Sequence, residues 1–321
     1  MYGEEIPYEI IPPENDPDKR KEYWEIGKGL QAVDGLPTSA YLEQVMQETI
    51  DGKYDTKEAQ LKLKEYYDGI SPSDPGYASK EGDEVTARIA EVLESFSFTF
   101  RATTIKGIHK YLFKGVNKDY HPGIWRTYNI TKGEPILNGR SVQYADYDEI
   151  MDNLEYDFAR EEQTQSSYNI PFTKDDVKKF SDFISRIWET HGFCEGNTRA
   201  TAVFAILYLR EIGITTNNDY FKEYAAYFRD ALVRSNYSSI REGIEADSIY
   251  LEKFFENVLL GATHDLDSMD LRCKELFPEL SDDEAQDAAE YVPDPEQVSQ
   301  GSTAGLTAAA ENKDKGIDID M

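Results

Sequence analysis

Ten residues joining two apolar helical patterns constrain this chain most. Upstream, Val177, Phe180, Phe183, Ile184, Ile187 and Trp188 recur at three- and four-residue steps, one face of a helix. Thr173 followed by Asp175 and Asp176 marks that helix's start, a capping side chain with acidic residues in the first turn. Downstream, residues 201–209 are apolar nearly all round, as in a buried helix. The decapeptide Thr190–Arg199 between them must therefore be a tight turn linking two core helices. It crowds His191, Glu195, Gly196, Asn197 and Arg199 into one connection.

That crowding has chemical meaning. Gly196 and Asn197 open the second helix, where free N–H groups and the helix dipole favour an anion. Arg199, one turn in, adds a planar cation suited to phosphate. His191 is the residue type of a general base at neutral pH. Glu195 can hold Mg²⁺ between nucleotide phosphates, or simply satisfy the helix dipole. Phe193 reads as an anchor of the turn. Cys194 beside His191 lacks a third orienting group, so a cysteine hydrolase is set aside. His109, His121 and His264 stand apart without ligand spacing and receive no role.

Other segments are periodic too. Residues 19–67 hold three short helical patterns forming a small module that must dock on a larger body to bury its apolar side. Residues 68–84 are rich in Gly, Pro and Ser and read as a linker. Helical patterns resume at 85–98, 104–113, 147–161, 219–237 and 245–260, and the segment 271–277 finishes the fold. Residues 1–18 form an extended lead-in, and 278–321 an acidic tail without periodicity, expected to be disordered. The stretch 126–145 differs. Its runs of strand-like composition flank Asn138-Gly139, the strongest short hairpin signal, so a single β-hairpin is expected. The fold class is all-α: a helical bundle with one hairpin and a small N-terminal helical module.

A net charge of −28 over 321 residues argues against nucleic-acid or anionic-membrane surfaces, both of which demand cationic patches. Two cysteines without metal-ligand spacing fit a reducing compartment. No apolar run approaches the roughly 20 residues of a membrane span. A cytoplasmic protein is expected, with export to a host cell left open.

His191-x-Phe193-x-Glu195-Gly196-Asn197-x-Arg199 resembles H-x-F-x-[DE]-G-N-x-R, the signature of the Fic-domain family, and the resemblance extends over about residues 85–275. It implies a helical bundle with one hairpin flap. The implied activity is transfer of AMP from ATP to a Ser, Thr or Tyr hydroxyl of a protein target, with Mg²⁺. His191 would be the base and Glu195 the metal ligand. Gly196, Asn197 and Thr198 would line an anion hole, and Arg199 would hold the phosphate tail. Ile136, Leu137, Asn138, Gly139 and Arg140 would form the flap that aligns the target. A homodimer is compatible with the family.

Departures from the family pattern bear on this reading. Gly192 replaces a common proline, a small change. Thr198 stands where Gly is usual and narrows the phosphate site. Ala202 replaces a second arginine that contacts the γ-phosphate. The 19–67 module resembles a fused antitoxin-like segment, whose glutamate pairs with that second arginine. Here Leu30, Asp34 and Gly35 occupy a degenerate form of the inhibitory motif, and with Ala202 in place the usual clamp is not expected. Ser238–Gly243 matches the inhibitory pattern literally but by coincidence. Two alternatives accompany the transferase reading: a non-catalytic module holding a peptide with its flap, and a transferase moving phosphate or another nucleotide.

Overall fold

The computed structural model describes residues 16–95, 97–214 and 216–277. The lead-in up to residue 15 and the tail from 278 fall outside them. The described residues from Asp16 to Leu276 form one compact unit. It is built from eleven α-helices, and the described residues contain no β-strand.

The central pair is α7 (Lys174–Thr190) and α8 (Asn197–Glu211). Thr173 begins α7 with the expected capping box, its side chain accepting from the Asp176 N–H while Asp176 bonds back to the Thr173 N–H. Every residue of α8 from Asn197 to Leu209 is buried, which is why residues 201–209 are apolar nearly all round. Phe158 of α6 (Ile150–Gln165), Phe180 and Phe183 of α7, and Phe204 and Tyr208 of α8 interlock edge-on or tilted, with ring centroids 5.4–6.2 Å apart. A second aromatic cluster joins α7 to three further helices. These are α9 (Asp219–Glu223), α10 (Ala225–Asn236) and α11 (Ile249–Leu260), which contribute Phe221, Phe228, Phe254 and Phe255.

The N-terminal helices are integral to this unit. Trp24, Ile26 and Leu30 of α1 (Pro17–Gln31) are buried, and α1 lies along α4 (Lys80–Ser95) and α9. Asp83 of α4, fully buried, accepts from the Ser39 N–H at 2.9 Å and the Tyr67 hydroxyl at 2.6 Å. It thereby ties the start of α2 (Ala40–Ile50) and the end of α3 (Thr56–Asp68) to the main body. Helix α4 begins at Lys80, inside the stretch read as linker, because the apolar pattern starts only after a polar first turn. Helix α5 (Ala102–Phe113) then packs on α8.

The expected hairpin at 126–145 is not formed. Pro135–Leu137 makes one 3₁₀ turn instead, followed by Asn138 (φ 51°) and Gly139 (φ 79°). The Glu134 N–H meets the Arg140 carbonyl at 2.9 Å, and the Gly139 N–H meets the Glu134 carbonyl at 3.0 Å. Asn-Gly thus turns the chain as its residue types demand. Strands do not follow, because Pro135 supplies no N–H to a ladder and the neighbouring backbone groups find other partners. The Ile136 carbonyl accepts from the Cys273 N–H at 3.2 Å, and the Lys132 N–H donates to Ser141 Oγ at 3.0 Å. Among the described residues no helix is long and apolar enough to cross a membrane.

Candidate active site

The turn between α7 and α8 is held by its own residues. His191 caps α7 in the left-handed region (φ 45°, ψ 53°), and Gly196 takes the same region at the start of α8 (φ 78°). Asn197 closes the loop from both sides. Its Oδ1 accepts from the Phe193 N–H at 3.0 Å, and its Nδ2 donates to the Phe193 carbonyl at 2.8 Å. No side chain caps the first turn of α8, so its leading N–H groups remain those of an anion site. A Cβ on Gly196 would lie 2.4 Å from the Phe113 ring, so glycine is required here twice over.

His191 is buried, its ring stacked on Tyr144 with centroids 3.9 Å apart and set edge-on to Trp188. Its Nδ1 lies 3.3 Å from the Trp188 carbonyl. A carbonyl can only accept, so the proton sits on Nδ1 and Nε2 keeps a free lone pair. Burial, with Lys132 beside it, holds the imidazole's pKa well below the usual histidine range. The ring is therefore neutral at physiological pH, with Nε2 the nitrogen able to accept a proton.

Glu195 projects partly into solvent, with Lys132 Nζ 3.7 Å from Oε2; the same ammonium lies 3.9 Å from Asp34 Oδ1. Burial raises the Glu195 pKa despite that neighbour. Two carboxylates sharing one ammonium mark a place where positive charge is favoured. A single protein carboxylate suits a Mg²⁺ ion that draws its remaining ligands from phosphates and water. Among the described residues no group of three or more His, Cys, Asp or Glu forms a metal cage.

Arg199 departs most from expectation. It is 1% exposed, leaning on the Phe113 ring with its guanidinium carbon 4.6 Å from the centroid. Nη1 donates to Gln31 at 3.1 Å, Nε pairs with Asp34 at 2.9 Å, and Nη2 pairs with Glu81 at 3.0 Å. The clamp to a second arginine stays absent, as Ala202 requires, but a different ion pair engages Asp34. Asp34 reaches Arg199 itself, so the loss of an arginine at Ala202, which is buried in the core, does not prevent pairing. Burial alone would raise the Asp34 pKa, but Arg199, Lys132 and Arg229 outweigh it and hold the carboxyl below its ordinary value. Leu30 is core and Gly35 ends the 3₁₀ turn in left-handed geometry. Asp34, Gln31 and Glu81 thus take up the Arg199 guanidinium, and the Tyr144 ring covers one face of His191. Behind the turn, a void of about 10 Å³ lined by Trp125, Gly192, Phe193 and Asn197 holds at most a water.

Two other expectations change. Thr198 does not narrow the anion site with its hydroxyl, because Oγ1 accepts from the buried Trp188 indole N–H at 2.9 Å. Gly192 is no neutral replacement for proline. A Cβ there would meet the Trp125 ring at 2.7 Å, so the indole fills the space that a side chain would need.

The flap residues come together but are engaged. Ile136 and Leu137 are buried. Asn138 Nδ2 donates to the Leu276 carbonyl at 2.8 Å, and Arg140 pairs with Glu242 at 3.1 Å. Glu242 belongs to the Ser238–Gly243 stretch, which therefore meets the flap and not Arg199.

Sequence reasoning passed over Arg126, Tyr144, Lys132, Glu81 and His109. Arg126 is 3% exposed and grips the loop by its carbonyls. Nε donates to His191 O at 2.8 Å, Nη2 to Thr190 O at 3.3 Å and also to Ala145 O, and Nη1 to Tyr128 O at 2.9 Å. Only for His109 was there a readable signal: it falls on the Ile105, Ile108, Leu112 and Phe113 stripe, where a polar residue needs buried partners.

Against this geometry, residues 99–209 match the model of the Fic/DOC family. No match emerges among curated proteins or among solved structures.

Proposed function

We propose, from the match of residues 99–209 to the Fic/DOC family, that the chain is a Fic-type transferase moving AMP from ATP to a Ser, Thr or Tyr hydroxyl of a protein target. The observation that carries this reading is the His191 ring. Its Nδ1 is committed to the Trp188 carbonyl, which leaves Nε2 to accept a proton, and the α8 start that follows in the same loop carries no side-chain cap. In the reaction Nε2 takes the hydroxyl proton as the oxygen bonds to the α-phosphorus. The bond from that phosphorus to the β-phosphate oxygen breaks, and pyrophosphate leaves. The Gly196, Asn197 and Thr198 N–H groups face the charge that develops on the phosphoryl oxygens, and Arg199 holds the phosphate tail once Asp34 releases it. Glu195 would hold Mg²⁺, which when bound neutralises charge on the polyphosphate. Cytoplasmic placement belongs to the same proposal.

The closed arrangement makes the reaction conditional: a nucleotide must displace Asp34 from Arg199 before it can bind. Intact mass after incubation with Mg²⁺ and ATP tests this, using Asp34→Ala protein to remove the block. An added mass of about 329 Da means AMP, whereas about 80 Da means phosphate. The His191→Ala form of the same protein should add nothing; labelling that survives there removes His191 from the reaction. A second reading, a peptide-holding module without catalysis, is favoured by the three-sided burial of Arg199. It expects no added mass in either form.

A further inference from the structure

His109 lies on α5, 82 residues before His191 in the chain, and its side chain is fully buried. The Gly123 N–H donates to its Nδ1 at 3.0 Å. A nitrogen that accepts carries no proton, so in the neutral ring the proton sits on Nε2. Nε2 then donates to the Glu195 carbonyl, 2.8 Å away. The ring lies flat on Phe193, centroids 3.7 Å apart and planes within 6°, and Phe193 stacks in turn on Trp125. Its position and its tautomer are thus both set by neighbours.

The bonded carbonyl belongs to the peptide that opens the anion site. In a planar trans peptide the C=O and the next N–H point in opposite directions. Fixing the Glu195 oxygen toward α5 therefore turns the Gly196 N–H away from it. This peptide is prone to rotate, because the positive φ of Gly196 lets the plane flip about its flanking bonds at little steric cost. A flipped plane would replace a donor by a carbonyl oxygen, which repels an anion.

We propose that His109 is a positioning residue for phosphoryl-centre chemistry at this turn: its Nε2–H locks the Glu195–Gly196 peptide so that the Gly196 N–H is presented to the transferred phosphate. The inference rests on the transferase reading, and it concerns a residue that touches neither nucleotide nor target.

Three substitutions separate this role from mere support. In His109→Gln the amide nitrogen reaches about as far as Nε2 and can restore the donor, so the Glu195 bond is kept. His109→Asn matches only the Nδ1 position and serves Gly123. His109→Phe keeps the stack on Phe193 and loses both bonds. Protein carrying [13C]Glu and [15N]Gly reports three Glu–Gly pairs, at 81–82, 195–196 and 242–243. The 195–196 resonance of nucleotide-free protein should stay in place in His109→Gln and move in His109→Asn and His109→Phe. On the Asp34→Ala background, kcat for transfer should fall about 100-fold in His109→Asn and His109→Phe, as for loss of one anion-hole donor, with KM within a few-fold. His109→Gln should recover most of it. An unmoved 195–196 resonance in His109→Phe, or equal loss of kcat in the Gln and Asn forms, overturns the proposal. Absence of transfer with His109 intact is instead failure of the transferase reading, and the nucleotide-free resonances then decide whether His109 orients the peptide.

Discussion

Replacing Asp34 by alanine perturbs the contact that gates the site in the reaction proposed above. The Arg199 guanidinium would keep Gln31 and Glu81 and lose one of its two carboxylates. Removing one partner of a buried ion pair costs about 3–5 kcal/mol. Asp34 is 21% exposed and Glu81 remains, so a cost of about 2 kcal/mol is expected. In a domain of this size that lowers Tm by roughly 5 °C. On the proposed reading, the same contact must be broken before a nucleotide phosphate can reach Arg199. Its removal should therefore raise the affinity for Mg-ADP by about 30-fold, the factor that 2 kcal/mol represents. Calorimetric titration beside a thermal scan checks both numbers on one preparation. Stability that falls while affinity stays within about three-fold would mean that Asp34 braces the fold and does not gate the site. Unchanged stability would refute the ion-pair reasoning itself.

The other predictions concern the loop and its supports. The His109 pKa lies near 4 in the folded chain against about 6.5 unfolded, so its contribution is complete above pH 6.5 and is lost as pH falls toward 4. The loss amounts to about 3 kcal/mol, and Asp230, whose pKa is raised to about 6 by burial, changes stability in the opposite sense. Urea unfolding at pH 7.5 and 4.5 should therefore show His109→Gln losing less stability on acidification than the parent, with equal losses contradicting the assignment. Gly192→Ala should destabilise by about 1–3 kcal/mol, because Trp125 must move to admit the methyl group, and its fluorescence should shift in step. Arg126→Met leaves the Thr190 and His191 carbonyls without their donor; a loss of about 3 kcal/mol or more is expected in denaturant titration.

Local patterns in the sequence reach a long way into this protein. The capping box at Thr173, the apolar stripe of α7 and the all-apolar α8 follow from residue spacing, because helix periodicity and end chemistry act over a few residues. The reciprocal bonds of Asn197 with Phe193 and the left-handed Gly196 lie inside one short loop, so the turn and its candidate base were legible too. The flap shows where locality ends. Asn138-Gly139 turned the chain as its residues require, yet the flanking runs share only isolated bonds and form no ladder, while Ile136 and Asn138 bond to Cys273 and Leu276.

What only the tertiary structure decided is which distant groups meet. Asp34 and Arg199 lie 165 positions apart, and Glu81 completes their cluster from a third helix. His109 and Arg126 reach backbone carbonyls of the 190–195 loop, partners that carry no side-chain signature in a sequence. Buried polar groups must be satisfied by whatever packing brings beside them. The candidate chemistry proposed for this turn was therefore legible in its own ten residues. Its closed state depends on helices that fold against it from elsewhere in the chain.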